Sequence, residues 1–270
     1  MIFDGAVPLA DDRELAAQCW GSGTPTVLLE AGGTRSNMSN WPTAFVTRLA
    51  ANNTVCLYSR AGGEGSTPPD GLLTYDMVIH DAFALLDWLE QEYGVEGPYV
   101  FVGWSFGGSV ALAEALEHPE STAGLVILDT DPIDDFLKVC AEAGNPRAEC
   151  RAEFESDREA KAIEQDIVAN EHPLPDIPVA IVSALIFPDC FETAGEEVSY
   201  GMAGQEITAP DCRTLAERVA DAHAAGWGEL LPQMTQTRVE AGHDQLISQA
   251  GFKIGDVIQG VIDQAAGSGG

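Results

Sequence analysis

The chain reads as an α/β protein, a mostly parallel sheet covered by helices, and three observations lead there. Short apolar, β-branched runs recur at 26–30, 54–58, 99–103, 124–128, 179–183 and 237–240. Helix-prone stretches separate most of them, so strand and helix alternate along the chain. No internal repeat or low-complexity linker interrupts this order, and 270 residues with 45% hydrophobic content suffice for one large core and a single domain. No apolar stretch approaches the roughly 18 residues needed to span a bilayer.

In order, residues 14–20 and 26–30 read as an antiparallel pair around the Gly21-Ser22-Gly23 turn. Between 74 and 93, Val78, Ala82, Leu85, Leu86 and Leu89 fall at helical spacing with Asp76, Asp81, Asp87 and Glu90 interleaved. That pattern is an amphipathic covering helix with its acids and His80 in solvent. A further helix is expected over about 213–226. Residues 131–175 and 188–211 are longer than simple connections require. The first, charged and helix-prone between Asp131-Pro132 and Pro175, is expected to be a helical cap inserted after strand six. The second is an additional lid loop. The core is then 1–130 with 176–266, and 267–270 a flexible tail.

Charge excludes two classes of partner. The net charge is −30, from 43 acidic and 13 basic residues, with Lys only at 138, 161 and 253. Such a surface repels nucleic acid and anionic membranes, so neither is a partner. It remains soluble where salt screens its self-repulsion.

Residues 98–109, Pro-Tyr-Val-Phe-Val-Gly-Trp-Ser-Phe-Gly-Gly-Ser, place Gly103-Trp104-Ser105-Phe106-Gly107 where a strand gives way to a helix. A serine on so sharp a turn needs neighbours without Cβ atoms two positions either side, where strand and helix come close. Ser105 is therefore expected to stand above the sheet as a nucleophile. The N–H of Phe106 would lie at a helix N-terminus, where developing negative charge is favoured.

A serine nucleophile needs a histidine base, and the candidates are His80, His118, His172, His223 and His243. Only His243 follows a strand-like segment, Thr237 to Glu240, and precedes a last helix, late in the chain as the order Ser, acid, His requires. His118 and His172 precede prolines, and His223 lies within a helical stretch. For the acid that orients the imidazole, Asp129 ends the run Leu125-Val126-Ile127-Leu128. Asp189 is the competitor, set back by Ile186-Phe187-Pro188, with Asp131 third. The run Asp129 to Asp135 superficially resembles a calcium loop, but Ile133 occupies a ligand position and the glycine and terminal glutamate are missing. After the strand 26–29, Glu30-Ala31-Gly32-Gly33-Thr34 offers small residues whose N–H groups can approach an oxyanion. Gly32 is preferred as the second donor, with Gly33 close behind.

Six cysteines fall into three local sets, 19 with 56, 140 with 150 and 190 with 212, an even count that points to disulfides and an oxidising compartment. Connectivity stays open at this level, and no metal-binding spacing competes. The N-terminus lacks the charged and apolar regions of a signal peptide, so an exported protein would be represented by its mature domain.

These motifs together resemble the α/β-hydrolase fold family over nearly the whole chain. Pro25 to Gly32 looks like the oxyanion segment, Val55-Cys56-Leu57-Tyr58-Ser59-Arg60-Ala61-Gly62 with Gly65-Ser66 like the loop after the fourth strand, and Gly103 to Gly107 and Gly242-His243 like the elbow and the base. The Cys-x-Gly and Val-Cys-x-Tyr elements look like an exported, actinobacterial-type branch of serine esterases. Glu30 departs from the histidine many relatives carry there, and Ser59 from a common aspartate. An acid after strand six is similar to that of some lactone-cleaving members. The resemblance implies a mostly parallel eight-stranded sheet. It also sets strands two and four side by side, which favours a Cys19–Cys56 bridge.

The expected activity is hydrolysis of a small-molecule carboxylic ester, lactones included, through an acyl-serine. Ser105 attacks, His243 relays the proton, Asp129 fixes the tautomer, and Gly32, Gly33 and Phe106 supply the oxyanion hole, with Trp104 shaping the pocket. No cofactor or metal is called for, and a secreted monomer is expected. A different class, a ligand-binding or sensor protein with little turnover, fits the same scaffold, as do a peptidase and a perhydrolase.

Overall fold

In the computed structural model of the chain the described residues are 1–33, 35, 37–71, 73–131, 176–187, 190–193, 195–202 and 205–267. Ten strands are found among them: β1 (Phe3–Pro8), β2 (Glu14–Gly21), β3 (Thr26–Glu30), β4 (Thr54–Tyr58), β5 (Tyr99–Trp104), β6 (Thr122–Leu128), β7 (Val179–Ile186), β8 (Val198–Met202), β9 (Gln205–Ala209) and β10 (Thr235–Gly242). The helices are α1 (Thr43–Leu49), α2 (Tyr75–Tyr93), α3 (Phe106–Glu117), α4 (Cys212–Leu230) and α5 (Leu246–Gly267).

Eight strands form one sheet in the order β1-β2-β4-β3-β5-β6-β7-β10, while β8 and β9 make a separate antiparallel hairpin. From β4 to β10 every neighbour is parallel; β1–β2 and β2–β4 are antiparallel. The expected pairing of 14–20 with 26–30 is corrected here, because β4 lies between β2 and β3. Local adjacency across a glycine turn suggested a hairpin, but β2 instead finds β1, a strand the sequence reading did not foresee, on its other side.

The parallel strands read as continuous apolar runs because both sheet faces are covered. Alternation decides which side each residue joins. Leu28, Phe101, Leu125, Ile127 and Ile181 pack against α2, α3 and Trp227 of α4. Val27, Leu29, Val100, Val102, Val126 and Val182 pack against α1 and α5. On α2 the apolar stripe is buried as the spacing predicts. Asp81 is the exception to its expected acid face: it is 2% exposed and takes a bidentate ion pair from Arg13 at 2.6 Å, tying the helix to the β1–β2 turn.

Cys19 and Cys56 stand directly opposite in the β2–β4 pair and are bridged, as are Cys190 and Cys212. The Cys140 and Cys150 set, and all but the first residue of the cap expected over 131–175, lie outside the described residues. Within the segment 188–211 expected as a lid loop, β8 and β9 form a hairpin whose Val198 and Ala209 are buried with Leu215 and Val219 of α4. The Cys190–Cys212 bridge ties the segment leading into it to the start of that helix.

Candidate active site

The site lies at the carboxyl ends of β5, β6 and β10, where parallel α/β sheets characteristically present ligands. Register brings the parts together. Trp104 of β5 pairs with Leu128 of β6, so Ser105 and Asp129, the next residues, leave the sheet side by side. The ladder continues one step further, with Ser105 N–H donating to Leu128 O at 2.9 Å and Asp129 N–H to Val182 O at 2.7 Å.

Ser105 has φ 56° and ψ −131°, a strained conformation for a residue with a Cβ. What holds it there is the close passage of α3 over β5. A Cβ on Gly103 would meet Gly107 O at 2.0 Å, and one on Gly107 would meet Glu30 O at 2.2 Å, so both elbow glycines are required sterically. The turn is also anchored from outside: Thr130 Oγ1 donates to Ser105 O at 2.7 Å, and Trp227 Nε1 donates to Thr130 O at 2.9 Å.

His243 opens a short 3₁₀ turn directly after β10, reached through a register irregularity between Val239 and Gly242. Its Nε2 lies 3.0 Å from Ser105 Oγ and its Nδ1 lies 2.7 Å from Asp129 Oδ2. The second carboxylate oxygen, Oδ1, accepts from Ala184 N–H at 2.7 Å. Asp129 is therefore fixed at both oxygens, from a backbone at φ 50° that aspartate tolerates better than most residues. Hydrogen bonding to Asp129 raises the His243 pKa above 6.5; partial burial opposes this, while the charges of Asp129, Asp244 and Asp131 add to it.

Gly32 and Gly33 follow β3 beside the serine: a Cβ on Gly32 would come within 3.1 Å of Ser105 Cβ. Gly33 has φ 78°. Phe106 begins α3, among the first N–H groups of a helix, which have no intrahelical acceptor. Trp104 is half-buried with its ring 5.9 Å from that of His243, while its Nε1 is buried without a hydrogen-bond partner among the described residues.

The other histidines have different surroundings. His80 is exposed, and His118 stacks on Phe83 with ring centroids 3.5 Å apart. His223 is buried on α4 with Nε2 2.7 Å from Asp131 Oδ1. Burial works to raise the Asp131 pKa, but contact with His223 and the charge of His243 outweigh it and leave the carboxyl lowered. Asp131 thus pairs with His223 and not with His243. His172 and Asp189 lie outside the described residues, and among the described residues no group of three or more potential ligands is placed to hold a metal ion.

Sequence reasoning did not assign a role to Thr130, Trp227, Arg60 or Glu114. The last two carried a signal. Arg60 is the charged residue in an otherwise small and apolar Val55-to-Gly62 segment, and Glu114 is an acid in the apolar α3, seven residues after Gly107 and hence on the same helix face.

Comparison with known proteins agrees with this architecture. The profile described as the alpha/beta hydrolase fold matches residues 25–163, more than half of the 270-residue chain. The sn-1-specific diacylglycerol lipase ABHD11 of Danio rerio is 33% identical over 113 residues, 42% of this chain and 33% of that protein. The 2-hydroxymuconate semialdehyde hydrolase of Pseudomonas sp. (strain CF600) is 32% identical over 110 residues, 40% of this chain and 37% of that protein. The matched region thus spans about a third of the length of these curated relatives. Among solved structures, alpha/beta hydrolase domain-containing protein 10 from mouse superposes with a TM-score of 0.64 at 15% identity, covering 97% of this chain and 98% of that one. With the sheet order, the serine elbow and the family profile in agreement, the chain belongs to the α/β-hydrolase fold family.

Proposed function

We propose that this protein is a serine hydrolase that cleaves carboxylic esters, lactones among them, through an acyl-Ser105 intermediate. The observation that carries this reading is the continuous relay from Ser105 Oγ through His243 to Asp129, at 3.0 and 2.7 Å. As the hydroxyl attacks the ester carbonyl carbon, His243 Nε2 takes its proton. Asp129 Oδ2 accepts from Nδ1–H, which keeps Nε2 free as a base and stabilises the imidazolium that forms. The tetrahedral oxyanion is received by the N–H groups of Phe106 and of Gly32 or Gly33, each donor contributing about 2.7 to 4 kcal/mol in the transition state. His243 returns the proton to the departing alkoxide. Water, activated by the same nitrogen, then releases the acid and restores Ser105. No step draws on a metal or an organic cofactor.

Trp104 beside His243 and the disulfide-tied β8–β9 hairpin would form walls of a small-molecule pocket. The two bridges and the acidic surface suit an exported protein. A fluorophosphonate probe, followed by chromogenic esters of increasing acyl length and a lactone series, tests the reading. Labelling at Ser105 with ester turnover is expected. Labelling without turnover on any ester or lactone would favour a sensor, and turnover confined to amides a peptidase.

A further inference from the structure

Behind the oxyanion segment lies a buried group of ionisable side chains that the proposed reaction does not use. Glu30 is 1% exposed, Arg60 2%, Glu114 0% and Tyr58 2%. Isolated charges at such depth are costly, so a buried guanidinium needs a fixed counter-ion and hydrogen-bond acceptors. Arg60 Nε donates to Glu30 Oε2 at 3.0 Å, Nη1 donates to Gly33 O and Nη2 to Ala31 O. The face of the guanidinium lies 5.4 Å from the Phe106 ring.

The acceptors are the informative part. In a trans peptide the C=O and the following N–H point in opposite directions. A guanidinium that holds Ala31 O therefore turns the Gly32 N–H away from itself. Its second arm holds Gly33 O, so the two carbonyls on either side of Gly32 are pinned by one rigid fork, a geometry lysine cannot reproduce. Asn40 Nδ2, 3.4 Å from Gly32 O, is a further, long contact on the same turn. We infer that Arg60 is a positioning residue for the oxyanion hole, presetting the Gly32 peptide through its bonds to the Ala31 and Gly33 carbonyls, with Glu30 as its fixed counter-ion.

Glu114 lies within reach of the charges of Glu30 and Arg60 without a bond to the guanidinium among those described. Glu30 Oε1 and both Glu114 oxygens are buried without a hydrogen-bond partner among the described residues. Burial first, and then the charge of Glu30, push the Glu114 carboxyl well above its ordinary range, which favours its neutral form. Glu30 remains the carboxylate in direct contact with Arg60.

This inference rests on the ester-hydrolase reading for its kinetic consequence but not for its structural one, which allows the two to be separated. Arg60→Lys and Glu30→Gln are compared with wild type and with Arg13→Gln, which breaks an ion pair at the β1–β2 turn. Amide hydrogen exchange is followed by mass spectrometry over the segment 27–33, with kcat and KM on a chromogenic ester. In Arg60→Lys the segment should exchange faster, and kcat should fall at least about tenfold with KM within about twofold, as for lost transition-state contacts. Arg13→Gln should lower the melting temperature while leaving both readouts unchanged. Should Arg60→Lys fail to fold, Glu30→Gln decides the question in the same direction, because removing the counter-ion loosens the fork. Wild-type exchange over 27–33 in a folded variant would overturn the inference. A wild-type protein without ester turnover would count against the ester reading alone.

Discussion

Asp129 and His243 meet at 2.7 Å although 114 residues separate them, and the meeting depends on a left-handed backbone at the aspartate. With φ at 50°, the carboxylate leaves the line of β6 and reaches across to β10, while its other oxygen takes the Ala184 N–H. The carboxylate is thus held at both oxygens.

Asp129→Asn keeps the shape of that residue but offers the imidazole an amide instead of a second acceptor. The Ala184 N–H can still be satisfied by the amide oxygen, so the fold should hold. The amide nitrogen then faces Nδ1 and favours the wrong tautomer. We expect kcat to fall by about 10⁴-fold with little change in melting temperature. Steady-state kinetics against thermal unfolding separates this from a stability defect. A loss below tenfold would remove Asp129 from the acid role.

The pH profile follows from the raised pKa of His243. The base works only when neutral, so kcat/KM should climb as pH rises through that pKa, and the limb should be centred above the usual value near 6.5. Asp244 contributes through its charge without touching Ser105 or His243 Nδ1, so Asp244→Asn should move the limb down while leaving the plateau intact. An acid limb at or below 6.5 in wild type would contradict the geometry.

The fold was legible in the sequence wherever a single feature dominates. Apolar runs buried on both faces announced β3 to β7, and the glycines around Ser105 announced the elbow, because strand and helix cannot approach so closely with side chains present. Chain order singled out His243 and the end of a strand Asp129, and the fold brings both side chains to Ser105. Long-range partnership was not legible. Arg13 selects Asp81 from a helix face of similar acids, and β2 abandons its sequence neighbour β3 for β4 and β1. Arg60 and Glu114 are separated by 54 positions in the chain, so only the fold shows that they share one buried pocket of charge with Glu30.

Cys19 and Cys56 tie together the two strands at which the sheet turns antiparallel, and Cys190–Cys212 ties the approach to β8–β9 to α4. Each bridge should stabilise the fold by about 2 to 4 kcal/mol, mainly by restricting the unfolded chain. Alkylation under denaturing conditions, without and then with reductant, followed by peptide mapping, should show these four residues blocked until reduction. Free thiols at Cys19 or Cys56 in native protein would contradict the pairing.

With a net charge of −30, like-charge repulsion outweighs the few exposed ion pairs, such as Arg213 with Glu240 and Arg238 with Asp221. Screening should relieve it, so the melting temperature should rise from dilute buffer to molar sodium chloride. A flat or falling curve would show that the exposed pairs, which salt weakens, dominate instead.

The relay from Ser105 to Asp129 is tested most directly by trapping the covalent intermediate. Wild-type protein mixed rapidly with a chromogenic ester, quenched in acid and digested, should yield an acylated peptide carrying the modification on Ser105, together with a burst of released alcohol approaching one equivalent per protein. Ser105→Ala should fold, show neither adduct nor burst, and lose turnover by several orders of magnitude, as His243→Ala should too. Ester hydrolysis by Ser105→Ala within tenfold of wild type, or an acyl group found on another residue, would contradict it.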